Sequence, residues 1–282
     1  MAELVVVAPG PLTLVQDAGR PGYASMGVGR SGAFDAGAYE LGRRLLGNAV
    51  GTAALEVLLG GLTLLATGPA RAVVTGGLIQ AYAGDHPVGY AEPCYLLPGE
   101  TLRLGHCTRG IRAYVSVAGG IDVAPTLGSR STDTLSGLGP RPLAAGDVLA
   151  VGEAGPPSRA DAAPITPPAD GVVTLEALPG PRTDWLDDPR LTGEWTVAPD
   201  SNRVGVRLTG HLWKRADLRE LPSEGVVTGS IQLPPDGRPV IFGPDHPTTG
   251  GYPVVGVLSD ASCNLLAQLR PGQRVRFRPG RG

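Results

Sequence analysis

A nine-residue segment near the end of the chain concentrates side chains that can move protons or hold a ligand. Residues 245–253 read Asp-His-Pro-Thr-Thr-Gly-Gly-Tyr-Pro. A carboxylate and an imidazole are common proton-transfer groups, so Asp245 and His246 are the candidate catalytic residues. Prolines and paired glycines indicate an irregular loop, and ligand contacts concentrate in loops on a rigid scaffold. The candidate ligand contacts in this loop are Thr248, Thr249, Gly250, Gly251 and Tyr252.

Arginines in three further segments can hold a carboxylate or a phosphate, because a guanidinium binds such anions through paired hydrogen bonds. Arg20 lies in a Gly/Pro turn beside Asp17, and an ion pair within that turn is the alternative. Arg203 and Arg207 are evenly spaced and would share one face of a strand, with plain solvent exposure as the alternative. Arg130 stands in a Ser-Arg-Ser-Thr-Asp run, which is typical of a ligand loop or of a solvated turn.

A loop containing glycine and serine leads into the clearest predicted helix, over residues 36–46. Asp35 is a good N-cap for that helix. Backbone amides at a helix N-terminus can also bind an anion, so Ser31 and Asp35 are candidate ligand residues. Capping alone would be sufficient to explain Asp35. Gln232, in a Gly-rich segment nearer the C-terminus, is a further candidate for hydrogen bonding to a ligand.

The composition favours a mainly β protein with a few helices and two domains. The 282 residues exceed one average domain. Gly 43 and Pro 28 are interspersed with short aliphatic runs, which is typical of short strands joined by turns and favours β-barrels. Residues 55–59 and 62–66 flank Gly60-Gly61 and predict a β-hairpin, and a second helix is predicted over 261–269. A Pro/Ala-rich segment at 153–170 predicts a linker between domains at 1–152 and 171–282.

Charge and cysteine usage argue against several classes of partner. The net charge of −2 offers no basic field to nucleic acid or to anionic lipid. The three cysteines are far apart and none stands in a metal-ligand spacing, so we expect no metal site. The N-terminus lacks the features of a signal peptide, and no apolar run is long enough to span a bilayer. We expect a cytoplasmic protein.

Seven blocks of the sequence, taken in order, resemble one known family. They include Gly-Pro-Leu-Thr-Leu-Val-Gln-Asp-Ala-Gly-Arg-Pro-Gly-Tyr within 10–35 and the loop at 245–258, and the others lie at 44–48, 54–61, 114–133, 201–210 and 224–241. Together they resemble the biotin-dependent carboxyltransferase family, also described as urea amidolyase-related or allophanate hydrolase subunit 2-like, of the KipA type. Within that family the chain is most similar to the C subunits of ATP-hydrolysing 5-oxoprolinases.

The resemblance implies tandem cyclophilin-like β-barrel domains and an activity divided between chains. The implied reaction is the ATP-dependent opening of 5-oxo-L-proline to L-glutamate, together with a KipI-like B subunit and a LamB/YcsF-type A subunit. ATP would then be the cofactor of the complex, and this chain alone would be inactive. Phosphorylation of a lactam oxygen would make the ring carbon more electrophilic, and cations would stabilise the phosphoryl group. The cations at family positions are Arg20, Arg130, Arg203 and Arg207.

Two other functions remain open. The chain could be a carboxyltransferase component that acts on urea or a related small amide with carboxybiotin, in which case biotin is the cofactor. It could instead be a non-enzymatic antagonist of a KipI-like histidine-kinase inhibitor. The sequence has no Met-Lys-Met biotinyl segment and no ATP-grasp-like region, so we do not expect it to carry biotin itself. Pro247 also departs from the glutamine that family members often have at that position.

Overall fold

The computed structural model describes residues 2–156, 163 and 166–280. Strands are the main regular secondary structure of these residues, which also form two α-helices. This confirms the prediction of a mainly β protein with a few helices. They divide into two compact units. Unit 1 comprises the described residues within Met1–Arg20, Asp35–Asp133 and Gly137–Pro168, and unit 2 comprises those within Pro21–Phe34, Thr134–Ser136 and Ala169–Gly282.

The described strands of unit 1 form one half-barrel sheet. Its elements are β1 (Glu3–Pro9), β2 (Leu12–Gln16), α1 (Ala36–Leu46), β3 (Ala54–Leu58), β4 (Leu62–Ala66), β5 (Ala70–Ala83), β6 (His86–Val88), β7 (Cys94–Leu96), β8 (Thr101–Val117) and β9 (Val148–Ala150). The strand order is β2-β3-β8-β4-β1-β9, and β5 pairs with β8, β6 and β7. The long strand β8 therefore organises the sheet, since β3, β4 and β5 all pair with it.

Alternating aliphatic residues build the core of unit 1. Leu4 and Val6 of β1 are buried, as are Leu62 and Leu64 of β4. This period of two is expected of strands with one face in the core. The burial of these side chains supplies the main driving force for folding this sheet.

Both predicted helices are present. The helix α1 covers the predicted residues, with the Asp35 side chain accepting a hydrogen bond from the amide three residues on and Gly47 ending the helix at a φ of 71°. The second helix covers Asp260–Ala267, where 261–269 was predicted. It begins one residue earlier because Ser259 acts as its N-cap, and it ends two residues earlier. No helix among the described residues is long and apolar enough to cross a membrane.

The predicted hairpin around Gly60 is wrong. Its two strands exist as β3 and β4, but within the described sheet each pairs with a different part of β8, β3 with residues 112–115 and β4 with residues 101–103. Gly60 has a φ of 99°, and a Cβ atom there would clash with the carbonyl of Gly105. The glycine thus lets the chain pass close to β8 instead of turning back on itself.

Unit 2 contains a closed seven-stranded barrel. Its elements are β10 (Val173–Pro179), β11 (Glu194–Val197), β12 (Gly205–Gly210), β13 (Glu224–Gly225), β14 (Ser230–Gln232), β15 (Val240–Phe242), β16 (Thr249–Gly250), β17 (Val254–Leu258), α2 (Asp260–Ala267) and β18 (Arg274–Pro279). The barrel order is β10-β17-β14-β15-β12-β11-β18, and β13 pairs with β16 as a separate ribbon. The parallel pairing of β10 with β18 closes the barrel.

Aromatic and aliphatic side chains fill the barrel. The ring centroid of Trp195 lies 4.9 Å from that of Trp213 and 5.0 Å from that of Phe277. Ile231 and Val255 are fully buried in the same cluster. Offset and edge-on aromatic contacts of this kind add to the stabilisation from burial.

Two segments from the first half of the sequence belong to unit 2, residues 21–34 and 134–136. They bring loop residues from far along the chain to the barrel. The domain limits at 1–152 and 171–282 stay a prediction. Part of the predicted linker, residues 157–162 and 164–165, lies outside the described residues.

Candidate functional site

The carboxylate of Asp245 is the centre of a polar cluster in unit 2. Arg203 donates to both of its oxygens, from Nε to Oδ2 at 2.8 Å and from Nη2 to Oδ1 at 2.9 Å. Ser31 Oγ donates to Oδ1 at 2.8 Å. Thr134 donates to Oδ2 from its amide at 2.9 Å and from Oγ1 at 2.7 Å. The carboxylate is 0 % exposed and is surrounded by donors from three distant segments of the chain.

The electrostatics of this cluster keep Asp245 ionised. Burial alone raises the pKa of the carboxyl group, but the charge of Arg203 and hydrogen bonds from Arg203 and Thr134 outweigh burial and hold the pKa below its ordinary value. Arg203 also donates from Nη2 to the Gly32 carbonyl at 2.7 Å. A carboxylate that has a lowered pKa and is surrounded by donors is a poor proton acceptor, so this geometry favours an anchoring role for Asp245.

His246 follows Asp245 and is also buried. Its ring stacks on Phe242, with the ring centroids 5.7 Å apart. Its Nδ1 lies 2.7 Å from the carbonyl oxygen of Pro247, and because a carbonyl only accepts, Nδ1 carries the proton in that contact. In the neutral ring the basic lone pair is then on Nε2. The backbone carbonyl of Pro247 thus holds the histidine ring.

The first two residues of the 245–253 loop are buried, whereas most of its second half is exposed. Thr249, Gly251 and Tyr252 are exposed, and the side chain of Tyr252 is among the large exposed hydrophobic groups. Beneath them, Gln232 Nε2 donates to the Tyr252 carbonyl at 3.1 Å. A Cβ atom on Gly250 would clash with that same Nε2, so a side chain at position 250 would displace the amide that supports the loop.

The ribbon of β13 and β16 fixes the middle of the loop. Thr249 pairs with Gly225, and Gly250 pairs with Glu224. The Thr248 carbonyl accepts a hydrogen bond from the Val226 amide at 3.1 Å. The backbone at 248–250 is therefore held in place, which leaves the exposed side chains as the groups that can meet a ligand.

Arg207 does not join the Asp245 cluster. The strand β12 begins at Gly205, so Arg203 precedes the strand, and the two arginines do not share a strand face as the spacing predicted. The Arg207 side chain is 43 % exposed, and its Nε lies 3.4 Å from Asp200 Oδ2. This matches the solvent-exposed alternative for that residue.

A second polar cluster, in unit 1, surrounds Asp17. Its Oδ1 accepts from Ser129 Oγ at 2.6 Å and from Ser131 Oγ at 2.5 Å, and its Oδ2 accepts from the Arg130 amide at 2.6 Å. The Arg130 side chain points elsewhere, since its Nε donates to the Val123 carbonyl at 2.8 Å. The cluster therefore uses the Arg130 backbone and leaves its guanidinium outside.

Arg20 is buried beside this second cluster with 1 % of its surface exposed. Its Nη2 donates to the Ser131 carbonyl, while Nη1 has no hydrogen-bond partner among the described residues. The same holds for Oε1 of the buried Gln16, whose Nε2 donates to the Thr132 carbonyl at 2.8 Å. Arg20 Nη1 is thus an unpaired donor and Gln16 Oε1 an unpaired acceptor among the described residues. Both side chains are bound to the backbone at residues 131–132.

Asp35 serves the start of α1. Besides the side-chain cap, its amide donates to Tyr114 Oη at 2.7 Å, and the Tyr114 hydroxyl donates to Glu56 Oε2 at 2.7 Å. Arg112 Nε lies 3.5 Å from Glu56 Oε1. Burial, together with the nearby carboxylates, raises the pKa of Tyr114 well above its ordinary value, so this tyrosine stays protonated and bridges helix and sheet.

The structure brings together three of the predicted residues, Ser31, Arg203 and Asp245, with His246 adjacent in sequence. Sequence reasoning missed Thr134, although it directly follows the Ser-Arg-Ser-Thr-Asp run that contains Arg130. It also missed Gln16. Among the described residues, no three His, Cys, Asp or Glu side chains are grouped closely enough to hold a metal ion.

Comparisons with known proteins agree across almost the whole chain. A family model for the carboxyltransferase domain, subdomain A and B, matches residues 26–279. The C subunit of the 5-oxoprolinase of Escherichia coli K12 is 36 % identical, with 97 % of this chain and 90 % of that protein aligned.

Two solved structures show the same fold. The crystal structure of TTHA0988 aligns with a TM-score of 0.87 and 35 % identity over 98 % of this chain and 56 % of that chain. The K. lactis urea amidolyase aligns with a TM-score of 0.91 and 32 % identity over 98 % of this chain and 18 % of that chain. The chain thus spans little more than half of the first protein and under a fifth of the second.

Proposed function

Since the chain belongs to the family of the carboxyltransferase domain, subdomain A and B, we propose that it is the C subunit of an ATP-dependent 5-oxoprolinase. The observation that carries the proposal is its 36 % identity to a protein of that name over 90 % of that protein's length. In the proposed reaction, the A, B and C subunits together open the lactam of 5-oxo-L-proline. The ring C–N bond breaks, water adds to the carbonyl carbon to give L-glutamate, and ATP is hydrolysed to ADP and phosphate.

The 245–253 loop has the features that such a role needs. The buried pair of Arg203 and Asp245 anchors its first residue, and the exposed Thr249 and Tyr252 are available to meet substrate. We assign Arg203 and Asp245 a positioning role, because their charges are directed at each other. We assign the proton-transfer role in the loop to His246, because an imidazole can both donate and accept a proton near neutral pH.

A second candidate function is transfer of a carboxyl group to urea or a related small amide. The K. lactis urea amidolyase favours it, because that structure superimposes with a TM-score of 0.91. The two candidates share a substrate class, since a lactam and urea both present an amide N–H beside a carbonyl. They differ in the co-substrate, which is ATP for the first and carboxybiotin for the second.

Reconstitution separates the two functions. The KipI-like and LamB/YcsF-type subunits are purified, and ATP-dependent formation of L-glutamate from 5-oxo-L-proline is measured with and without this chain. Under the proposal, glutamate and ADP form only when all three proteins are present. If the rate is unchanged when this chain is omitted, the proposal fails. Urea-dependent consumption of carboxybiotin in the same preparation would instead support the second function.

A matched pair of exposed residues tests the loop. Tyr252→Ala removes a ring that is 46 % exposed, and Leu218→Ala removes a side chain of unit 2 that is 81 % exposed. Neither change creates a cavity in the core. We expect Tyr252→Ala to lower kcat/KM by at least tenfold in the reconstituted system, while Leu218→Ala leaves it within twofold. Equal effects of the two changes would exclude the loop tip as a substrate contact.

A further inference from the structure

A cavity in unit 1 shares no lining residue with either polar cluster. Its volume is about 660 Å³, within the range of roughly 300–1,000 Å³ that small-molecule sites occupy. The wall is mostly apolar and is formed by the end of α1, the start of β5, the end of β7 and the segment after β9. Its apolar lining includes Leu46, Ala70, Leu96, Leu97, Ala118 and Val151.

One positively charged side chain lines this cavity. Arg71 is the only arginine or lysine among the lining residues. Its Nε is buried without a hydrogen-bond partner in the part of the chain that the structure describes. The guanidinium Cζ lies 5.8 Å from the centroid of the Tyr95 ring, a distance at which the ring attracts the cation. A carboxylate bound in the cavity would be attracted by the positive charge of this guanidinium.

The other charge at the cavity limits which anion fits. Glu153 also lines it and is exposed. One negative charge on a ligand would neutralise Arg71, whereas a second would meet the like charge of Glu153. A single carboxylate is therefore favoured over a phosphate monoester or a dicarboxylate. The leucines beside Arg71 favour an apolar body attached to that carboxylate.

We propose that this cavity binds an organic monocarboxylate with an apolar body, the carboxylate on Arg71 and the body against Leu46, Leu96 and Leu97. The ligand class differs from the small polar amides considered for the 245–253 loop. Binding here is independent of the 5-oxoprolinase proposal, because it needs neither a partner chain nor ATP.

The experiment compares octanoate with octanamide, which have the same chain length and differ in charge. Binding to the full chain is measured by titration calorimetry at pH 7.5, and leucine methyl NMR locates the ligand. Octanoate is expected to bind at least fivefold more tightly than octanamide and to shift the methyl signals of Leu46, Leu96 and Leu97. Equal affinities, no octanoate binding up to 20 mM, or shifts confined to leucines elsewhere would each overturn the proposal.

The chain supplies a matched control for the arginine. Arg103 also lies over a tyrosine, with its Cζ 5.9 Å from the Tyr82 ring centroid, but it does not line the cavity. Arg71→Gln is expected to weaken octanoate binding about tenfold and to leave octanamide within twofold. Arg103→Gln is expected to change neither. If the two variants lower octanoate affinity equally, the site is not at Arg71.

Two rim variants test the charge argument without altering Arg71. Glu153→Gln removes the opposing carboxylate and should strengthen octanoate binding two- to threefold, with no effect on octanamide. Leu97→Asp places a carboxylate at a position that is 62 % exposed and should weaken octanoate at least threefold. Circular dichroism checks that both variants fold. A lack of response to both changes would contradict an electrostatic contact at this cavity.

Discussion

Replacing Asp245 with asparagine should destabilise unit 2 by about 3–5 kcal/mol, the usual cost of leaving a buried charge unpaired. Asparagine keeps the shape and one acceptor oxygen. Its amide nitrogen fits best at the Oδ1 position, which faces two donors, because Oδ2 faces three from Arg203 and Thr134. At Oδ1 the Ser31 hydroxyl can reverse its hydrogen bond, whereas Arg203 Nη2 cannot and loses its acceptor. The Arg203 guanidinium, 4 % exposed, then loses the counter-charge of Asp245.

Tryptophan fluorescence can measure the stability of unit 2 without a signal from unit 1. All three tryptophans of the chain, Trp185, Trp195 and Trp213, lie in unit 2. Urea unfolding followed by their emission therefore measures the free energy of unfolding of that unit. Asp188→Asn is the control, because Asp188 forms an exposed pair with an arginine, and such pairs contribute little to stability.

The stabilising contribution of Asp245 is expected to depend on pH. The pKa of Asp245 is lower in the folded chain than its ordinary value, so its stabilising contribution is complete above the unfolded pKa of about 3.9. The contribution is lost as the pH falls through the folded pKa. The stability difference between wild type and Asp245→Asn should therefore be constant from pH 7 to 5 and shrink below pH 4.

A double variant tests whether the ion pair between Arg203 and Asp245 holds the cluster together. Arg203→Met combined with Asp245→Asn removes both charges of the pair, so it should be more stable than Asp245→Asn alone. If Asp245→Asn loses less than about 1 kcal/mol, the value expected of one ordinary hydrogen bond, the ion pair does not hold the cluster. Simple addition of the two single effects would also contradict the charge argument.

Three further outcomes are expected. Tyr114→Phe should cost about 1–3 kcal/mol in thermal unfolding followed by circular dichroism, because it removes the buried hydroxyl that joins the Asp35 amide to Glu56; no change would contradict the bridging role. Gly250→Ala should lower activity in the reconstituted system, since its Cβ would displace the Gln232 amide, and wild-type activity would show that the loop tolerates this movement. Burial raises the pKa of the Cys263 thiol to about 11, so iodoacetamide at pH 8 should label it far more slowly in the folded chain than in urea.

Local patterns in the sequence predicted the local structure well. The helix α1 formed over the expected residues because Asp35 and Gly47 supply its own start and stop. The strands on either side of Gly60 were also predicted correctly. Their pairing was not, because the partner of each is a stretch of β8 more than thirty-five residues away, and nothing near Gly60 encodes that choice.

Long-range contacts explain what the sequence left open in the candidate site. Ser31 and Asp245 were both predicted, yet 214 positions separate them, and no spacing rule joins such residues. Thr134 was missed because a threonine after a polar run is also typical of a solvated turn, and nothing in the sequence separates the two cases. The pattern of evenly spaced arginines was misleading at Arg207, since the strand begins only after Arg203.

Unit 2 includes residues 21–34 and 134–136, so it cannot be expressed whole as one continuous C-terminal fragment. A fragment that starts at residue 169 would carry every strand of the barrel but would lack Ser31 and Thr134. Its Asp245 would keep only Arg203 among the donors described. Such a fragment should be soluble only when the complementary piece, residues 1–168, is co-expressed with it, so the two halves of the sequence behave as a split protein and not as two interchangeable modules.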